Sequence, residues 1–374
     1  MSARVAVDTR TGGRSWLDPR DNSLNLLRLI MATMVVFHHV FPLTARGEGI
    51  ELTPGESVGG WAVFGFFMIS GYLITGARIR SDSGRYLINR IVRLFPAFFF
   101  VNILTAFLLA PIAFVIQNGS LQGFLSTPNT PFSYVISNAW LRMNDYSVAG
   151  TLADVPYPLA WNGSLWSLYY EFCAYLLIGL FCAIPVVRTR IWPMLLAFLA
   201  TCALKVWDGP ISVYLSGIDD DVVQFGRLLP FFFGGALVFM LRERLGDRLA
   251  LDWRLVIVSI IATVGLVLLF PRFGAQLAAP FLTYVLIWIG SRLPSPRIFQ
   301  VQDFSYGIYV WGFPLTQLLC LLGLAQAPLP LIFAILLPLT AIMAVISWFL
   351  VERPAIRWSR GKARPFGDIR AEAR

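Results

Sequence analysis

Residues 28–40 read RLIMATMVVFHHV, and their reading decides the fold. The stretch sits inside an apolar run from about 24 to 44, yet it carries an arginine and both of the chain's 2 histidines. An apolar helix of about 20 residues is long enough to cross a hydrocarbon core about 30 Å thick. Working outward, nine further runs of this kind lie near 58–77, 94–117, 164–185, 191–207, 222–241, 255–270, 275–291, 304–324 and 328–351. Hydrophobic residues make up 57% of the chain and charged ones 14%, against about a quarter charged in an ordinary soluble domain. The expectation is an all-α polytopic membrane protein of ten transmembrane helices with no appended soluble domain. The first run is longer than a signal-peptide core and is expected to stay as a helix.

The net charge of +9 raises nucleic acid as a partner, but its distribution argues for a lipid bilayer instead. With the N-terminus inside, the cytoplasmic segments hold 24 of the 30 Lys and Arg residues, and only Arg46, Arg142 and Arg272 fall in outer loops. That asymmetry is the positive-inside rule. It assigns both termini to the cytoplasm, with a tail at 1–23, a membrane domain at 24–352 and a basic, headgroup-facing tail at 353–374. The outer segment 118–163, with TPNTPFSYVISNAW and PYPLAWNGS, reads as a long loop holding one short interfacial helix, and long loops are enriched in function. Cys173, Cys182, Cys202 and Cys320 lie within spans without metal-ligand spacing, so they read as packing residues and no metal is expected.

Ionisable groups inside spans usually face a bundle interior or a wet cavity. The 11-residue step from Arg28 to His39 turns the helix by a net of about 20° and rises roughly 16 Å, so the two share a face. His38 lies about 80° off that stripe, which makes it a helper or a packing residue and His39 the better base. Snorkelling of Arg28 and a plain interhelical bond from His39 are the bland alternatives. Lys205 and Arg227 stand near outer helix ends, where snorkelling suffices, and for Lys205 it is the favoured reading. Glu171, in WNGSLWSLYYEFCAYLL, would lie roughly 10 Å below the outer end of its span, level with His39. The depth match makes Glu171 a candidate to orient the imidazole, with helix packing as its alternative. Arg90 and Arg93, in NRIVRLFPAFFF, are one turn apart and suit phosphate oxygens, although topology alone also places arginines there.

These residues are similar in order and spacing to integral-membrane acyltransferase family 3, bacterial proteins that O-acylate carbohydrates and other acceptors. Arg28, ten residues and His39 match the first span, GFFMISGYLI at 65–74 the second, and Arg90 with Arg93 the approach to the third. Trp166, Ser167, Leu168 and Glu171 give W-S-L-x-x-E, Ser305 to Tyr309 give SYGIY, and Glu352 and Pro354 close the last span. One departure is plain: many relatives read YLWHxP where this chain reads YVWGFP, with Gly312 in the histidine position. The resemblance implies an acyl-CoA donor, acetyl-CoA above all, bound from the cytoplasm at Arg90, Arg93 and Arg28. It implies an acceptor hydroxyl on a surface polysaccharide or lipid-linked sugar, and a place in the cell membrane. A small-molecule acceptor such as a macrolide is the alternative within the class, and a proton- or ion-coupled transporter using Arg28, His39 and Glu171 the alternative outside it.

Overall fold

The computed structural model describes residues 22–214 and 219–361, and most of the two expected tails lies outside them. Helix α1 (Leu24–Leu43) leads through a short antiparallel pair, β1 (Glu51–Thr53) and β2 (Glu56–Ser57), into α2 (Val58–Ile79). Ser57 caps α2 by accepting from the Gly60 amide at 3.1 Å, and Asp82 caps α3 (Ser83–Leu104) by accepting from that of Arg85 at 2.9 Å. A π turn at Thr105–Leu109 carries α3 on into α4 (Ala110–Asn118), where Gly119, at φ 74, ends it in the left-handed conformation that glycine adopts without steric cost. Then come α5 (Pro131–Ser137), a 3-10 turn at Gly163–Trp166 running into α6 (Ser167–Phe181), α7 (Pro185–Thr189), α8 (Trp192–Tyr214) and α9 (Asp219–Leu245). The chain continues with α10 (Trp253–Leu269), α11 (Gly274–Leu277), α12 (Ala279–Arg292), α13 (Arg297–Val301) and α14 (Ser305–Leu321). Last are α15 (Leu329–Ser347), a second π turn at Trp348–Glu352 and α16 (Arg353–Gly361).

Helix occupies each of the ten apolar runs, but among the described residues only 6 helices are long and apolar enough to cross a membrane by length and composition. The expected count of ten is therefore not reached on that measure: α8, α10, α12 and α14 are not among the six, and of these α10 and α14 have 17 residues each and α12 has 14. On the outside of the bundle α10 exposes Ile261 at 65% and Leu268 at 74%, side chains that suit lipid better than water.

Helix α2 is the centre of the bundle, with 78% of its apolar window buried. In lipid there is no hydrophobic drive between helices, so close backbone approach across small residues must supply the packing. Gly71 and Gly235 provide it: a Cβ on Gly71 would lie 1.9 Å from the Phe232 carbonyl oxygen, and one on Gly235 would lie 2.2 Å from that of Met68. The obstacle in both cases is backbone, which cannot swing aside. Gly71→Ala is therefore expected to cost roughly 1–3 kcal/mol by overpacking. The same change at Gly265 of α10, which has nothing within 4 Å, should be neutral or stabilise by up to about 1 kcal/mol through helix propensity. Thermal unfolding in detergent checks the pair; a Gly71→Ala protein as stable as the Gly265→Ala protein would refute this account of the α2–α9 contact.

The same reasoning explains Gly312. A Cβ there would sit 2.3 Å from Cγ2 of Val36 on α1, so a histidine at this position would force α1 and α14 apart.

Segment 118–163 contains the one short helix expected of it, α5, but it is a packed unit and not an open loop. Trp161, fully buried, donates to Thr151 Oγ1 at 2.8 Å, and buried Asn138 accepts from the amides of Asn144 (2.8 Å) and Asp145 (3.1 Å). Gln317 of α14 donates to the carbonyls of Tyr157 and Ala160, both at 2.7 Å, and ties the segment to the bundle.

Candidate functional site

Two large cavities open at opposite ends of the first helix, and a narrow constriction lies between them, sharing wall residues with each. The first, about 810 Å³, is walled by Arg28 of α1, Ser70 of α2, Arg85, Arg90 and Arg93 of α3, Asp303, and Arg353 and Arg357 of α16. The second, about 880 Å³, takes His38 and His39 from α1, Tyr146 and Tyr157 from segment 118–163, Trp166, Tyr169 and Tyr170 around the start of α6, and Asp221 and Arg227 from α9. Between them a gap of only about 30 Å³ is lined by Arg28, Phe66, Arg93, Ser167, Glu171, Tyr175, Tyr306 and Tyr309. Arg28, Arg93 and Tyr175 belong to both the gap and the first cavity, and Val63 and Tyr309 to both the gap and the second.

The expected Arg28–His39 stripe thus runs from one cavity to the other. His39 rests edge-on against Phe313 with ring centroids 5.3 Å apart, and neither of its ring nitrogens has a hydrogen-bond partner among the described residues. His38 is seated by its surroundings: its Nε2 is 3.4 Å from Ser57 Oγ, and Gly59 leaves room for the ring, since a Cβ there would lie 2.6 Å from His38 Cδ2. The His38 Nδ1 is buried without a partner.

Glu171 does not orient His39. Its Oε1 accepts from Ser70 Oγ at 3.0 Å and from the Tyr175 hydroxyl, and it lines the constriction instead of the histidine cavity. Equal depth along two helices leaves the direction of each side chain around its helix open. The 3-10 turn before α6 also rises about 2.0 Å per residue instead of 1.5, which carries Glu171 deeper than a continuous α-helix would. Ser70, in the GFFMISGYLI motif, is the donor that holds this carboxylate, while Phe66 of the same motif lies under the Arg28 guanidinium at 5.8 Å.

The paired arginines of α3 have different partners. Arg93 binds Asp303 and approaches Glu352 at 3.7 Å, and Arg28 shares the same Asp303 oxygen at 2.7 Å. Asp303 is held in turn by the Ser305 amide at 3.1 Å and hydroxyl at 2.5 Å, so the serine of SYGIY secures the clamp. Arg90 faces elsewhere, over the rings of Tyr86 at 5.9 Å and Tyr175 at 5.7 Å, and its buried Nε has no hydrogen-bond partner. Among the described residues Arg90, Arg353 and Arg357 make no ion pair, although all three line the first cavity. Asp303 and the two α16 arginines were missed in the sequence. The i, i+4 step between Arg353 and Arg357, which sets them on one helix face, was the signal available for the latter.

Tyr309 links SYGIY to W-S-L-x-x-E: its hydroxyl donates to the Ser164 carbonyl at 2.7 Å and lies 2.6 Å from Ser167 Oγ. In the second cavity Arg227 does not snorkel. It grips Glu56 with both ends of its fork, at 2.7 and 2.5 Å, between the rings of Phe64 and Trp166. Lys205 bonds Asp208 at 2.7 Å, a local i, i+3 pair.

Comparison with known proteins adds three findings. The profile of the family described as "Acyltransferase domain" matches residues 21–349. An "O-acetyl transferase" of Shigella phage Sf6 is 28% identical over 351 residues, covering 89% of this chain and 96% of that protein. "Nodulation protein 10" of Rhizobium leguminosarum bv. viciae is 26% identical over 373 residues, covering 90% and 93%. No solved structure matches the chain significantly.

Proposed function

Because the chain belongs to this acyltransferase family, we propose that it moves an acetyl group from acetyl-CoA on the cytoplasmic side of the cell membrane to a sugar hydroxyl of a surface polysaccharide or lipid-linked glycan. The family and the long apolar helices make it a multi-pass membrane O-acyltransferase. The observation that carries the rest is the pair of cavities on either side of one narrow constriction, one with unpaired arginines and the other with both histidines.

In this reading the first cavity faces the cytoplasm, as the distribution of Lys and Arg supports, and both termini lie on that side. Arg90, Arg353 and Arg357 hold the donor's phosphates by charge-assisted hydrogen bonds. Arg28 and Arg93, occupied by Asp303, stand at the mouth of the constriction through which the thioester end reaches the histidines. His39, as the neutral imidazole, takes the proton of the acceptor hydroxyl while that oxygen attacks the thioester carbonyl. The new C–O bond replaces the C–S bond, and the proton passes from the imidazolium to the departing thiolate. Direct transfer of this kind needs no acyl-enzyme. Glu171, bonded to Ser70 and Tyr175, shapes the constriction.

The test uses purified protein in liposomes, acetyl-CoA and an alkyl glycoside, with ester formation read by mass spectrometry. Solute flux with no ester formed would rule the proposal out. The donor site is checked by Arg353→Ala combined with Arg357→Ala. Loss of two bonds to charged phosphate, each worth about 1.5–3 kcal/mol, should raise the KM for acetyl-CoA more than tenfold with kcat little changed. Lysine at both positions should rescue only part of this, for want of the planar fork. An unchanged donor KM in the double alanine variant would remove α16 from the site.

A further inference from the structure

Within the reading of the second cavity as the acceptor site, we infer that the sugar it takes is uncharged, so that uronic acids, sialic acids and phosphorylated sugars are excluded at the reacting position. Among the described residues two arginines line this cavity, and both are engaged. Arg142 pairs with Asp221 at 3.1 Å and lies over the Tyr169 ring at 5.5 Å. Arg227 is held by both oxygens of Glu56 and covered by Phe64 and Trp166, so its fork and its faces are occupied.

The carboxylates are in the opposite condition. Asp221 is used by Arg142 and by the Tyr170 hydroxyl at 2.7 Å. Glu48 and Asp220 line the same cavity with no ion pair among the described residues. An acidic sugar would bring its carboxylate toward two carboxylates without ion-pair partners, and a cation becomes available only if Arg227 leaves both oxygens of Glu56 or the half-exposed Arg142 leaves Asp221. A neutral sugar meets no such opposition. Its hydroxyls donate to Glu48 and Asp220, and its C–H faces lie on tyrosine and tryptophan rings such as Tyr146 and Trp166. The first cavity has the reverse arrangement, with arginines left unpaired, so the anion-binding capacity of the molecule is concentrated on the donor side.

The test compares octyl glucoside, octyl N-acetylglucosaminide and octyl glucuronide as acceptors for acetyl transfer by the full chain in liposomes. The two neutral glycosides are expected to exceed the glucuronide at least tenfold in kcat/KM. Because the exclusion is electrostatic, the gap should narrow as salt rises, and it should narrow again in Glu48→Gln combined with Asp220→Asn. A glucuronide used as well as the glucosides overturns the inference and leaves acyl transfer standing. A gap indifferent both to salt and to the double variant also overturns it, since the cause is then steric. Acetyl transfer to none of the three overturns the reading of the site itself.

Discussion

Replacing His39 by alanine is expected to lower single-turnover acyl transfer by about 10²–10⁴-fold, the usual contribution of a general base. Donor binding should survive, because His39 lines the cavity away from the arginines. His38→Ala should lose much less. Its ring is wedged against Gly59 and its Nε2 lies 3.4 Å from Ser57 Oγ, whereas neither ring nitrogen of His39, which lines the same cavity, has a partner among the described residues. The measurement is rapid-quench transfer by both purified variants, with folding verified by thermal unfolding in detergent. A dead His38→Ala protein beside an active His39→Ala protein would reassign the base to the neighbouring imidazole.

The largest effect on stability is expected at Asp303. This one carboxylate holds two guanidiniums whose side chains are only 19% and 15% exposed. Removing one partner of a buried ion pair costs about 3–5 kcal/mol, since the remaining charge is left uncompensated. Against a total stability of about 5–15 kcal/mol that is a large share. Asp303→Ala should therefore lower the unfolding temperature sharply. Adding Arg93→Met to it should restore part of the loss, because the orphaned charge goes with the arginine. The double-mutant cycle measures the coupling; single and double variants that each unfold with the wild type would show that the clamp contributes nothing.

Apolar run length located the helices well and their polar extensions poorly. The run at 94–117 marks only the later part of a helix that begins at Ser83, because the first three turns carry arginines that hydropathy does not count and the Asp82 cap supports. Within α1, Arg28 lines the first cavity and the gap and His39 the second cavity, but His38, set about 80° off that stripe by helical phase, lines the second cavity as well. Between elements helical phase failed. Glu171 lines the constriction and not the histidine cavity, and nothing in the local sequence says that α6 turns its carboxylate to Ser70 of α2. Arg90 and Arg93 looked equivalent by spacing, yet a three-residue step separates them by about 60° around the axis. That is enough to send one toward tyrosines and the other toward Asp303. Asp303 itself was unreadable because a single aspartate in a short polar link carries no periodicity, and its role depends on two arginines more than two hundred residues away.

The constriction between the two cavities has a bioenergetic consequence. A protein with large wet vestibules at both ends of its first helix would be a short circuit for the proton gradient if they met freely. Here the space between them is about 30 Å³, room for a water or two, and its walls include the aromatic side chains of Phe66, Phe67, Tyr306 and Tyr309. A hydrated ion crossing would have to shed most of its water in so narrow a space, a barrier set by pore diameter of the kind that gates channels. A multi-pass acyltransferase built in this way keeps its two vestibules from becoming an open leak across the bilayer it spans.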